Sequence, residues 1–198
     1  MIDFNTVTKF EQTIADFFGA PYAVATDSCT HAIELSLRLE SPDKVACPAR
    51  TYISVPMTLA KLQVDWYWDN TDWDQWYQLQ GSSVIDAATL WERSSYLPGT
   101  KMCISFQARK KLPLGRGGII LLDNQQEAEI LRAMAYDGRY DRTTSWQEQK
   151  IAVMGYHYYM TPETADQGLT YFQTLADTPW AAWNSNMYPY LPDLPVFK

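Results

Sequence analysis

Short apolar runs alternate with amphipathic segments along most of this chain, and this alternation restricts the fold more than any other feature. "YAVAT" (22–26) is an apolar run of strand length, the polar turn "DSCT" follows, and "HAIELSLRL" then places Ile33 and Leu37 on one helical face. The pattern recurs, because "KVAC" predicts a strand that ends at Pro48 and "YISVPMTLAKL" predicts a helix with Pro56 near its first turns. Strands that alternate with helices predict a three-layer α/β/α fold with a mainly parallel sheet.

Other segments extend the same plan. "NTVTKFEQTIADFFG" has Val7, Phe10 and Ile14 at helical spacing and Gly19 where a helix would stop. "SVIDAA", "MCISF" and "GIILLD" are further short apolar runs, while "NQQEAEILRAMAYDG" and "TPETADQGLTYFQTL" predict the later helices. The 198 residues fit one domain. We expect this domain to cover residues 1–177.

Charge and composition exclude several classes of protein. The net charge of -7 offers no basic surface for nucleic acid, and no window approaches the ~20 apolar residues of a membrane span. We therefore expect a cytoplasmic protein without nucleic-acid or membrane partners. The cysteines lack C-x-x-C spacing, and the two histidines, His31 and His157, lie far apart, so we predict no metal site.

Two regions depart from the alternating pattern. The segment "VDWYWDNTDWDQWYQLQ" follows neither a helix period nor a strand period, and its tryptophans are Trp66, Trp68, Trp73 and Trp76. These rings are interpreted as cover for a sheet edge or a subunit contact, with a sugar-stacking platform as the alternative. The Pro-rich tail, 178–198, cannot be a long helix and is expected to wrap over a neighbouring surface.

Three chemical groups fall at predicted strand ends, where open α/β sheets bind ligands. Ser28, Cys29 and Thr30 come at a helix N-terminus, where backbone N–H groups and the helix dipole favour an anion such as phosphate, although such residues are also ordinary N-caps. Asp86 ends the run "VID", and a buried carboxylate there needs a positive partner such as a pyridinium nitrogen. "SFQARKK" adds a pair of adjacent lysines. A phosphate site at a helix N-terminus, a buried carboxylate and an amine together indicate a site for pyridoxal phosphate.

These segments resemble the motifs of the DegT/StrS family of pyridoxal-phosphate-dependent sugar aminotransferases. The chain gives "KFEQTIADFFGAPYAVATDSCTHAIEL", "PARTYISVPMTLAKL", "VIDAATLW" and "SFQARKKLPLGRGG" in the family's order, and the match extends to about Gly138. Lys110 lies five residues after Ser105 and seven before Gly117, as does the family's Schiff-base lysine, whereas Lys111 misses both spacings by one. The resemblance implies a shortened version of the large domain of fold-type I aminotransferases.

The resemblance also implies a role for each matching residue. Lys110 is the nucleophile and proton shuttle, and Asp86 pairs with the pyridinium nitrogen. Tyr52 stacks on the cofactor ring. The phosphate is held by Ser28, Cys29, Thr30 and Ser105.

Some positions differ from the family pattern. Thr89 replaces the Gln or His that contacts the ring hydroxyl, so that contact is shortened or lost. His157 replaces an Asn that reaches a neighbouring subunit's phosphate, and it is interpreted either in that role or as an interface histidine. Tyr159 stands in place of an arginine. We expect the chain to resemble a truncated form of the family that lacks its C-terminal domain.

The expected activity is transfer of an amino group from an amino acid, glutamate by preference, to a keto sugar that is nucleotide-linked, in a homodimer. The diphosphate of such a nucleotide-linked sugar would need cations. By position alone, Arg93, Arg139 and Arg142 are candidates to bind it, but they are interpreted as surface residues. The alternative function is a non-catalytic relative that retains the fold or the cofactor cup as a binding or assembly module.

Overall fold

The computed structural model describes residues 3–198, which form five α-helices and seven β-strands. The helices are α1 Phe4–Phe18, α2 Cys29–Glu40, α3 Ser54–Leu62, α4 Gln125–Ala135 and α5 Pro162–Leu175. The strands are β1 Tyr22–Thr26, β2 Lys44–Pro48, β3 Asp65–Asp69, β4 Tyr77–Gln78, β5 Val84–Asp86, β6 Lys101–Ser105 and β7 Gly118–Leu122. Within this part of the chain, no helix has the length and apolar character to span a bilayer.

The strands form a five-stranded sheet in the order β1-β7-β6-β5-β4 and a two-stranded sheet of β2 and β3. β5 and β6 are parallel, as are β2 and β3, but β7 is antiparallel to both of its neighbours and β4 is antiparallel to β5. The α/β class predicted from the sequence is confirmed, while the main sheet is mixed rather than mainly parallel.

The direction of β7 follows from the connection that precedes it. Residues 106–117 form no helix and fold back, with Phe106 N–H donating to Gly117 O over 2.9 Å. The chain therefore returns alongside β6 as a wide hairpin, and an antiparallel pair results. The apolar runs at 102–106 and 118–122 did not reveal this, because buried parallel and antiparallel strands have the same hydrophobic pattern.

Helices cover both faces of the main sheet, which gives the three predicted layers. Ile119 and Leu121 of β7 pack in an apolar cluster with α1 and α5, and Ile120 and Leu122 pack on the other face with α2, α3 and α4. Helix α5 comes close to α1 at Gly168, where a Cβ atom would lie 2.5 Å from the Phe10 ring. The site residues thus sit on a rigid, doubly covered sheet.

Helix α1 matches its sequence signals. The Asp3 side chain caps its first turn, and Gly19 ends it in the left-handed conformation at φ 76°. Glu11 of the helix is buried and accepts the Ala25 N–H of β1 at 2.9 Å and the Arg132 guanidinium at 3.1 Å. Glu11 therefore joins α1, β1 and α4 through one paired carboxylate.

The Trp-rich segment contains a strand that the sequence pattern missed. "DWYWD" forms β3, which pairs only with β2 and is never fully buried. A strand at a sheet edge lacks the strong apolar alternation of a half-buried strand, so its period is hard to read. The tail contains three short 3₁₀ turns, Ser185–Met187, Leu191–Asp193 and Pro195–Phe197, and no α-helix, as its prolines predicted.

Candidate functional site

A cavity of about 740 Å³ opens at the carboxyl ends of β1, β5 and β6. Seven of the nine site residues predicted from the sequence line it, namely Ser28, Cys29, Thr30, Tyr52, Asp86, Ser105 and Lys110. The two others, Thr89 and His157, do not line it. The cavity also contains residues that the sequence reasoning did not select, above all Arg109, Trp183, Met187 and Tyr188.

The N-terminus of α2 forms one end of the cavity. Ser28 is the N-cap, and its hydroxyl accepts the His31 N–H at 3.2 Å. Among residues 3–198, no acceptor binds the N–H groups of Cys29 and Thr30, which are the first two helical positions. Both readings of this motif, N-cap and anion site, are therefore compatible with one geometry.

Strand β7 approaches this helix end without a side chain between them. A Cβ on Gly118 would lie 2.4 Å from Cys29 N, closer than real contacts allow. A glycine at 118 is required for this approach, which holds the N–H groups of α2 beside the sheet.

Asp86 lies at the floor of the cavity, buried at the end of β5. Its carboxylate accepts the Tyr77 hydroxyl at 2.6 Å and the Ala88 N–H at 2.9 Å. Within the described chain, no lysine or arginine lies within ion-pair distance of it. Burial raises the pKa of Asp86, while the two hydrogen bonds and the Lys110 charge oppose that rise. A cationic N–H group in the cavity would complete its environment.

The structure separates the two adjacent lysines. Lys110 is half-buried, lines the cavity and places its Nζ atom 4.0 Å from the centre of the Trp183 ring. Burial lowers the pKa of Lys110, Asp86 and Cys29 oppose this effect, and Arg109 adds to it. Lys111 is buried away from the cavity, and its Nζ donates to the carbonyl and the hydroxyl of Thr178. Lys110 has an available amine, whereas the amine of Lys111 is used to hold the tail.

Tyr52 and Ser105 differ in burial. Tyr52 precedes α3 and is 60% exposed, so its ring stands at the mouth of the cavity. Ser105 ends β6 and is buried, and its Oγ accepts the Gln107 N–H over 3.4 Å. One residue offers an aromatic face and the other a hydroxyl.

Thr89 lies under the tail rather than in the cavity. Its hydroxyl donates to Gln75 O at 3.3 Å and accepts the Trp183 N–H at 3.0 Å, while its carbonyl accepts the Trp180 indole N–H at 2.7 Å. The hydroxyl and the carbonyl of Thr89 therefore both make hydrogen bonds within the chain. Thr89 therefore positions the tail.

His157 is exposed and outside the cavity. Its Nδ1 lies 3.0 Å from the Asp137 carboxylate, and its ring packs edge-on against Tyr159 at 4.8 Å. Within one chain it does not reach the other site residues. A contribution to a neighbouring subunit stays a prediction.

The tail builds one wall of the cavity. Trp183, Met187 and Tyr188 line it, and the Arg50 guanidinium donates to Tyr188 O at 3.0 Å. Sequence reasoning placed the tail on a surface but did not identify this surface. The density of aromatics in "PWAAWNSNMYPY" was the available signal.

Three tryptophans of the Trp-rich segment, Trp66, Trp68 and Trp73, pack within the chain, whereas Trp76 is exposed, and none of the four lines the main cavity. Trp66 and Trp68 pack edge-on with ring centres 4.6 Å apart, and both contact Phe197 of the tail. Trp73 donates its indole N–H to Arg50 O at 2.7 Å. This agrees with the interpretation as cover for a sheet edge.

The three arginines considered for the acceptor also lie elsewhere. Arg93 pairs with Asp177 at 2.7 Å, and the side chain of Arg142 is buried near Glu11. Arg139 donates to Thr144 O. The interpretation as surface residues fails for Arg142, because it packs inward over Phe4 and Tyr136.

The model of the DegT/DnrJ/EryC1/StrS aminotransferase family matches residues 1–75 and 97–180. Residues 76–96, which include Asp86 and Thr89, lie outside the match. The spore coat polysaccharide biosynthesis protein SpsC of Bacillus subtilis (strain 168) is 26% identical over an alignment of 223 positions, gaps included, and the alignment covers 86% of this chain and 57% of that protein.

Solved structures share the fold. The crystal structure of AtS13 from Actinomadura melliaura superposes with a TM-score of 0.74 at 21% identity, over 86% of this chain and 60% of that one. The pyridoxal-phosphate form of the sugar aminotransferase Spr1654 from Streptococcus pneumoniae gives 0.70 at 18%, over 86% and 59%. This chain thus spans less than two thirds of the length of these relatives.

Proposed function

Because the chain belongs to the DegT/DnrJ/EryC1/StrS aminotransferase family, we propose that it binds pyridoxal phosphate and transfers an amino group to a sugar ketone. The observation that carries the proposal is the half-buried Lys110 amine, which faces a cavity that also contains Asp86 and the α2 N-terminus. We propose glutamate as the donor and a nucleotide-linked keto sugar as the acceptor, by analogy with the family.

The cavity residues fit this cofactor. The N–H groups of Cys29 and Thr30 and the Ser105 hydroxyl would hold its phosphate, since they are donors without another strong acceptor. Asp86 would bind the pyridine N–H and so gain the cationic partner that it lacks in the chain. Tyr52 would lie against the ring. When bound, the cofactor supplies a reactive carbonyl carbon and a protonated ring that accepts an electron pair.

Lys110 has the properties of a proton carrier. Because burial lowers its pKa, a larger share of the Nζ amine is neutral at a given pH than for an ordinary lysine. The neutral amine can take a proton from the substrate's Cα atom and return it to a neighbouring carbon, which is the role of a general base near both atoms. The Trp183 ring beside Nζ keeps water from one side of the amine.

Covalent attachment of the cofactor tests the proposal. Protein mixed with pyridoxal phosphate and reduced with borohydride should carry the adduct on Lys110, as mapped by mass spectrometry of its peptides. Lys110→Ala should abolish the adduct. Lys111→Ala, the matched control, should retain it because Lys111 points to Thr178. An adduct on Lys111, or none, would refute the assignment.

A non-catalytic binding module is the second candidate function. It is favoured by one observation, namely that Thr89 and His157, two of the residues predicted to contact the cofactor, do not line the cavity. Addition of glutamate to the cofactor-loaded protein separates the two functions. Conversion of the cofactor to its amine form, absent in Lys110→Ala, supports the aminotransferase, while an unchanged cofactor with glutamate and other amino acids supports the module.

A further inference from the structure

One arginine of this chain differs from all the others in its surroundings. The sequence has eight arginines, and the guanidinium groups of seven make a hydrogen bond or an ion pair within residues 3–198, namely Arg38, Arg50, Arg93, Arg116, Arg132, Arg139 and Arg142. In the same part of the chain, the guanidinium of Arg109 makes neither. It is also one of the two arginines that line the cavity.

Arg109 is nevertheless held in place. Its backbone N–H donates to the Gln107 side chain at 2.9 Å, and its Cζ atom lies 5.2 Å from the centre of the Trp183 ring. The Lys110 Nζ lies 4.0 Å from the centre of the same ring. Two cations therefore border one indole, and stacking on an aromatic face leaves the in-plane N–H groups of a guanidinium available.

A planar guanidinium with available N–H groups favours a carboxylate, which it can bind through two parallel hydrogen bonds. In an amino acid, the α-carboxylate is attached to the carbon that carries the amine. An amine delivered to the position of Lys110 therefore brings its α-carboxylate close to that lysine. Resting on the function proposed above, we propose that Arg109, braced by Trp183, binds the α-carboxylate of the amino donor.

The other arginine in the cavity is less suited to this role. Arg116 pairs with Asp27 at 2.8 Å, and Asp27 also contacts the His31 ring. Its charge is partly neutralised before any ligand binds. The assignment therefore rests on Arg109, whose charge reaches the reacting amine closely enough to influence the pKa of Lys110.

The test measures binding at Trp183 directly. Protein labelled with 5-fluorotryptophan, with the Trp183 signal assigned by Trp183→Phe, is titrated by fluorine NMR with and without pyridoxal phosphate. The probes are L-glutamate, 4-aminobutyrate, which lacks the α-carboxylate, and uridine diphosphate as a source of phosphate. The variants are Arg109→Gln, Arg109→Lys and the matched control Arg93→Gln, whose guanidinium lies outside the cavity.

We expect Arg109→Gln to weaken glutamate binding about 10- to 100-fold, the loss of a charged hydrogen-bonded pair, with Arg109→Lys intermediate. Arg93→Gln should bind as the unmodified protein does, and 4-aminobutyrate should respond little to any variant. Equal glutamate affinity in Arg109→Gln and the unmodified protein overturns the proposal. Weakened uridine diphosphate binding with unchanged glutamate binding also overturns it and assigns Arg109 to phosphate. If glutamate binding depends on Arg109 but no cofactor attaches to Lys110, the proposed function fails and the Arg109 assignment stands.

Discussion

Asp86 is well placed to bind a cofactor, but its buried charge is unfavourable for the stability of the cofactor-free chain. The carboxylate is buried with two hydrogen bonds and no ion-pair partner among the described residues. Its raised pKa means that the folded state holds the proton more tightly than the unfolded state does. The contribution of Asp86 to the free energy of unfolding is therefore most favourable below the pKa of the unfolded state. It is lost as the pH rises through the higher pKa of the folded state.

Asp86→Asn should therefore stabilise the cofactor-free protein at pH 8 and have little effect near pH 4. The amide oxygen of Asn can still accept the Ala88 N–H and its NH2 group can donate to the Tyr77 oxygen, while the buried charge is removed, a gain of about 1 kcal/mol or more. The same change should abolish cofactor binding. Thermal unfolding at both pH values, with Asp166→Asn at an exposed position of α5 as control, checks the first part, and a cofactor titration checks the second. A destabilised Asp86→Asn at pH 8 would contradict the argument.

Lys110 should react with amine reagents at a lower pH than an ordinary lysine. Burial disfavours its ammonium form, so the neutral amine is present earlier as the pH rises. Competitive labelling across pH 6 to 10, quantified by mass spectrometry for each lysine peptide, measures the titration of each amine. A midpoint for Lys110 at or above the ordinary lysine pKa would rule out the activated amine.

At the scale of elements, the tail acts as a strap across the site. Thr89 joins it to the end of β5, Lys111 joins it through Thr178, and Arg50 joins it through Tyr188. We propose that residues 178–198 form this strap on a domain of 1–177. Two of these contacts go to backbone groups of the tail, Trp183 N–H and Tyr188 O, and the Lys111 contact goes to both the carbonyl and the hydroxyl of Thr178.

Thr89→Val should loosen the strap, because it leaves the partly buried Trp183 N–H without its acceptor. The expected loss is about 1–3 kcal/mol in the free energy of unfolding. Hydrogen exchange of the peptides covering 178–190 should also accelerate. Thr89→Ser keeps the hydroxyl and is the matched control. Equal exchange in both variants would show that this hydrogen bond does not hold the strap.

The sequence predicted the elements of the site better than it predicted the contacts between them. The resemblance to the family, through the spacing from Ser105 and Gly117, selected Lys110 over Lys111, and strand ends located Asp86 and Ser28, because these depend on local pattern. Trp183 escaped prediction since its contact with Lys110 joins residues far apart in the chain. Thr89 was assigned to the cofactor for the same reason, as its position was visible and its partners in the tail were not.

At the scale of the whole molecule, exposed apolar side chains surround the mouth of the cavity. Tyr52 is 60% exposed, Met187 is 61% exposed, and Met57 lies one turn after Ser54 on α3. Exposed apolar patches of this kind mark interaction surfaces. This distribution supports the predicted homodimer, with the two cavities facing the interface.

If the predicted homodimer forms through this surface, Met57→Glu should convert it to a monomer, because a charge would be buried against the partner. Light scattering at micromolar concentration gives the mass. Met154→Glu is the control, since Met154 is 75% exposed and lines a separate hollow beside Arg38 and Asp43. A monomeric unmodified protein, or dimer loss only with Met154→Glu, would contradict this interface.

The strap has a consequence for the kinetics of folding. The hydrogen bond between Arg50 and Tyr188 O joins residues 138 positions apart, and that between Trp183 N–H and Thr89 joins residues 94 positions apart. Contacts that close such long loops form late in folding, because closure costs the chain conformational entropy before the contacts can compensate for it. The doubly covered sheet should form first and the wall of the cavity last. The reverse step should then be a local opening that exposes Lys110 while the sheet stays folded.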